Sequence, residues 1–81
     1  MRGGVAKTAN SQALTASSNR INFPNGRYVI SASVHIGTTI HPMVVYPSSD
    51  HFQSGGYINK TNGTYNQLEN IAYTVDYVYV E

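Results

Sequence analysis

Arg27-Tyr28-Val29-Ile30-Ser31-Ala32-Ser33-Val34-His35-Ile36 is the stretch whose reading decides the fold. Tyr28, Ile30, Ala32, Val34 and Ile36 occupy alternate positions, and Arg27, Val29, Ser31, Ser33 and His35 fill those between. Successive side chains of a strand point to opposite faces, so the alternation predicts a half-buried antiparallel strand with the first set together on one face. Just before it, Pro24-Asn25-Gly26 combines a fixed φ with a dipeptide suited to positive φ, which predicts a hairpin turn or a corner after Ile21-Asn22-Phe23.

The same logic extends outward. Ile71 to Val80 is rich in β-branched and aromatic residues and has no Gly or Pro, so it reads as a strand. Bulk on both its faces places it centrally in a sheet or between two subunits. Ile40 to Tyr46 follows a break at Gly37-Thr38-Thr39. Pro42 lacks an N–H for a ladder, which predicts an edge strand or one starting after the proline. Phe52 to Asn59 resumes an apolar pattern around Gly55-Gly56, where a bulge or close backbone packing is expected. Asn62-Gly63 marks a further hairpin, and Pro47 to His51 is a loop by composition.

No stretch has the period of an amphipathic helix. The expected fold is therefore all-β: a small antiparallel β-sandwich or barrel of about five to six strands over residues 20–81. An extended polar arm, residues 1–19, precedes it. Within the arm, Gln12 to Ala16 is a candidate edge strand, and Val5 and Leu14 are its only bulky apolar side chains.

Leu, Ile, Val and Phe make up 18 of the 81 residues, so one thin core is available. Hydrophobic gain and ordering cost nearly cancel in so small a chain, and disulfides, metals or association usually tip the balance. Cysteine is absent, which excludes disulfides and thiolate metal sites. Association is left as the added source of stability. A net charge of +1 with 11% charged residues fits a surface partly covered by neighbours rather than a basic nucleic-acid footprint. The apolar runs are too short for a membrane-spanning helix, and Met1 to Lys7 is followed by no apolar run of a secretory signal.

Catalytic equipment is thin. Ser48, Ser49, Asp50 and His51 adjoin in one loop, where neighbours rarely point together, and no nucleophile-elbow motif occurs. His35, His41 and His51 do not share metal-ligand spacing with Asp50 or Asp76. The expectation is a non-enzymatic protein with no metal and no cofactor. Asn59-Lys60-Thr61 and Asn62-Gly63-Thr64 match the glycosylation pattern, but turn chemistry explains both.

Tyrosine is the compositional anomaly, at seven residues with no tryptophan. An apolar ring with a polar tip suits surfaces that meet a partner. Tyr46, Tyr57 and Tyr65 flank loops and lead the contact candidates; Val5, Leu14, Tyr77 and Tyr79 complete the set. The three loop-flanking tyrosines also make carbohydrate stacking the main competing function.

Ile21-Asn22-Phe23-Pro24-Asn25-Gly26-Arg27-Tyr28-Val29-Ile30-Ser31 and the closing Tyr73 to Glu81 resemble strand-turn-strand segments of bacteriophage virion proteins. The polar glycine-containing arm is similar in style. This resemblance implies a virion structural role, as a capsid decoration (cement) protein or a small tail component. Its partners would be copies of itself and other virion subunits, after synthesis in the host cytoplasm. The alternative it implies is a carbohydrate- or receptor-binding β module of a tail fibre, with a surface glycan as partner.

Overall fold

The computed structural model describes residues 5–24, 27–46 and 53–80. Among them there is no helix. Seven strands follow in chain order: β1 (Lys7–Thr15), β2 (Ile21–Asn22), β3 (Tyr28–Ile36), β4 (Thr39–Tyr46), β5 (Gln53–Ile58), β6 (Tyr65–Asn66) and β7 (Ala72–Val80). They form one sheet in the order β1-β7-β3-β4-β5-β2, with β6 on β5, and every pairing is antiparallel. The sheet curls until β1 and β2, its two ends, touch. The chain is thus an all-β half-barrel.

Curling is organised by β4. Its first half, Thr39 to Pro42, pairs with β3, and its second half, from Met43, pairs with β5. Pro42 stands at the change of partner, where an N–H has no ladder to serve. The expected edge strand, or strand starting after the proline, is therefore an inner strand that runs through it.

β7 lies centrally between β1 and β3, as its unbroken β-favouring composition predicts. Val75, Tyr77 and Tyr79 point inward and are buried. Phe23, Ile21, Val29, Val34, Met43 and Leu68 close the core around them. The polar stretch expected as an arm is part of this sheet from Lys7 onward. β1 pairs with β7 from Lys7↔Tyr79 to Thr15↔Ala72, and Leu14 packs on the core. A strand without its own hydrophobic face is ordered here by its own chain's most apolar strand.

The alternation in β3 is interrupted. Val29 pairs with Tyr79 and Ser31 with Val78, so Ile30 is an extra residue opposite none. A one-residue bulge moves the following side chains to the other face. Val29, Ala32 and Val34 consequently face the core, while Tyr28 and Ile30 are 52% and 54% exposed. The expected common face of Tyr28, Ile30, Ala32, Val34 and Ile36 is thereby split.

The turns follow their residues. Pro24 begins a corner rather than a hairpin, since β2 pairs with β5 and β3 does not pair with β2; Asn25 and Gly26 lie outside the described residues. Ser17 and Arg20 bridge a two-residue turn in which Ser18 and Asn19 have φ of 51° and 63°. The Asn19 side chain steadies that turn by accepting the Leu68 N–H at 2.6 Å. In the β5–β6 loop, Asn59 and Asn62 accept the N–H groups of Thr61 and Thr64, so both asparagines act as turn residues.

Candidate functional site

Three features of the surface carry chemistry or contact area. The first is a polar staple across three strands. β1 bulges between Ala9 and Gln12, opposite Asp76. At the bulge Ser11 has φ 55°, which turns its N–H to donate to Asp76 Oδ1 at 2.7 Å. Asp76 Oδ2 meets His35 Nε2 of β3 at 2.6 Å. One carboxylate of the central strand thus ties both neighbours.

The Ser11 N–H is the main cause holding the Asp76 carboxyl below the ordinary carboxylate value; burial opposes it and His35 assists. A carboxylate depressed in the folded state stabilises the fold above its unfolded pKa of about 3.9, and that contribution disappears as pH falls through the folded value. Asp76→Asn should therefore lower the melting temperature near neutrality by several degrees, equivalent to about 1–2 kcal/mol for a partly exposed charge-assisted pair. In acid the deficit should close. Melting curves of both proteins from about pH 7 down through the acid range check this; a deficit that does not shrink as pH falls would assign it to packing.

The second feature is a pair of tyrosines laid on a glycine step. A Cβ at Gly55 would lie 2.7 Å from the Tyr46 ring, and one at Gly56 would lie 2.5 Å from the Tyr65 hydroxyl. Both rings therefore rest on bare backbone at the irregularity between β4 and β5. Tyr65 donates its hydroxyl to the Gly55 carbonyl and accepts from Asn19 Nδ2. Arg20 sits 5.8 Å from the Tyr46 ring centroid. The close backbone packing expected at Gly55-Gly56 is present, and each ring has one side taken by it.

The third feature is an apolar strip on the outer face of the two central strands. Tyr28 pairs directly with Val80, and Ser31 with Val78, so these side chains share the face opposite the core. Ile30, raised by its bulge, stands among them.

No family model matches the chain, and no curated protein or solved structure matches it.

The contact candidates from sequence separate into groups. Val5 is 76% exposed, and Tyr46 and Tyr65 are exposed at the glycine step. Leu14 is half-buried against the core. Tyr57 is half-buried and stacks on His41 with centroids 5.2 Å apart. Tyr77 and Tyr79 are core residues, 2% and 8% exposed, because odd positions of β7 face inward; they are not surface contacts. The loop residues weighed for catalysis, Ser48 to His51, lie outside the described residues. His41 accepts the Lys60 N–H and His35 holds Asp76, so each has a structural partner.

The strip of Tyr28, Ile30, Val78 and Val80 was not expected as one surface. Half of its signal was available, since Val78 and Val80 put bulk on the even face of a strand whose odd face is aromatic. The other half depends on the β3 bulge, which no residue type announces.

Proposed function

We propose that the chain is a non-enzymatic structural subunit of a virion, a capsid decoration or small tail component, that works through contacts with copies of itself and neighbouring subunits. The observation that carries this reading is the outer strip. The outer face of an antiparallel sheet is ordinarily polar where it meets water, and here Tyr28 and Ile30 are more than half exposed beside the half-buried Val78 and Val80. Apolar side chains gathered on one outer face, rather than scattered singly, suit an interaction surface. The thin core and the low charge point the same way, since both favour burial against a partner. The phage setting comes from the resemblance of the Ile21 to Ser31 and Tyr73 to Glu81 segments to virion proteins.

Ile30 offers a direct test because its side chain is outside the core. Sedimentation equilibrium of the purified chain should give a mass that is a multiple of 8.9 kDa. Ile30→Lys should shift it to the monomer while leaving the circular dichroism spectrum unchanged. A wild-type chain that stays monomeric at about 100 μM, an affinity weaker than about 5 kcal/mol, would defeat self-association through this face.

A further inference from the structure

A cleft of about 550 Å³ opens at one end of the half-barrel, between the β3–β4 turn, β5 and the segment that leads into β7. Its size falls within the roughly 300–1,000 Å³ typical of small-ligand sites. Tyr57 and Tyr73 form part of its walls, and Asn66, Gln67 and Glu69 bring polar groups to it; His35 also lines it, with its Nε2 held by Asp76.

The cleft is held in shape by bonds that do not depend on a ligand. Asn19 accepts the Leu68 N–H, and Asn70 accepts the Ser18 N–H, so the segment from 66 to 71 is pinned to the turn before β2. Tyr73 accepts the Glu69 N–H at 2.9 Å. Ala16 donates to the Ile71 carbonyl. On the opposite wall, the His41 ring backs Tyr57 with an interplanar angle of 30°. The backbone of this wall is thus set in advance, and what remains to be ordered on binding is the exposed Gln67 and Glu69 side chains.

The lining selects a class of ligand. Among the described residues no Lys or Arg lines it, and Glu69 does, which disfavours phosphates and carboxylates. An apolar guest would leave amide and carboxylate groups desolvated without partners. A sugar meets both demands. Its hydroxyls donate and accept, as the Gln67 amide does, and they donate to the Glu69 carboxylate and to Asn66 Oδ1, the Asn66 Nδ2 being held by Thr64. Its C–H faces suit tyrosine rings, which join an apolar body to a polar tip.

We infer that the mouth of the half-barrel is a carbohydrate-binding cleft that accepts an uncharged mono- or disaccharide unit. Of the three tyrosines that the sequence offers for stacking, only Tyr57 belongs to it; Tyr46 and Tyr65 cover the glycine step instead. The cleft uses none of the outer-strip residues, so sugar binding and self-association succeed or fail separately.

The test is a glycan array of neutral oligosaccharides, followed by NMR titration of the folded chain with the strongest glycan. Binding should move the amide signals of Asn66 to Thr74. Gln67→Ala and Glu69→Gln, both at exposed positions, should each weaken it by roughly tenfold, the loss of one hydrogen bond to a sugar hydroxyl. Tyr46→Ala should leave it unchanged. No binding to any neutral glycan overturns the inference. So does binding that survives both cleft substitutions, or that Tyr46→Ala removes.

Discussion

Tyr77→Ala should come close to unfolding the protein. The ring is 2% exposed and packs on Phe23 at 4.9 Å and Tyr79 at 5.6 Å between centroids. Arg27 donates to its hydroxyl at 2.6 Å and lies 4.4 Å from the Tyr79 centroid, closing the aromatic cluster with a cation. Removing a buried aromatic ring costs about 3–5 kcal/mol, through lost transfer energy and the cavity left behind. A domain of 81 residues has a total of about 4–12 kcal/mol. Urea denaturation should thus show most of the transition lost. Tyr77→Phe keeps the ring and removes only the acceptor for Arg27, so it should cost about 1–2 kcal/mol. Equal losses in the two variants would mean that the ring itself contributes little, against its place at the centre of the core.

The second large effect belongs to Gly56. Its φ of +75° is a conformation that costs a side-chain-bearing residue about 1–2 kcal/mol. A Cβ there would also meet three atoms of Tyr65 at 2.5 to 2.7 Å, so the ring would have to leave its seat and give up its bonds to Gly55 and Asn19. Gly56→Ala should therefore cost about 2–4 kcal/mol. Gly63 has nearly the same φ, +74°, but open space around the added carbon. Gly63→Ala isolates the backbone penalty, and thermal melts of the two variants should differ by the Tyr65 contribution. Combining Gly56→Ala with Tyr65→Ala should cost less than the sum of the single changes. Full additivity would show that ring and glycine are energetically independent.

Much of this architecture is legible in the residues, and its limits have identifiable causes. β7 can be read directly because its composition and its central position agree. Gly55-Gly56 announces close packing, though which rings would occupy the space depends on strands distant in sequence. Pro42 predicts an edge strand or one starting after the proline, because a missing N–H fits either of these as well as a change of partner, and only the curl of the sheet distinguishes them. Alternation groups Tyr28 and Ile30 with Ala32 and Val34, and a single bulged residue splits that face because it reverses parity without altering composition. Polarity placed residues 1–19 in an arm, yet backbone pairing to an apolar neighbour orders Lys7 to Thr15. For the candidate site, tyrosine content marks candidates for contact by composition alone. Separating core from surface tyrosines required the register of β7, and the cleft arises from segments that meet only in the folded chain.

Pro42 has a mechanical meaning as well. Where it stands, β4 leaves one partner and takes up another, and no ladder bond crosses that point from its nitrogen. The sheet has a crease there. The strands on either side of it, β3 and β5, contribute His35 and Tyr57 to the lining of the cleft. The change of partner at Pro42 thus falls one residue from Met43, which pairs with Tyr57 of the cleft, so the spacing of β3 and β5 at the mouth is set by this turn-over in β4.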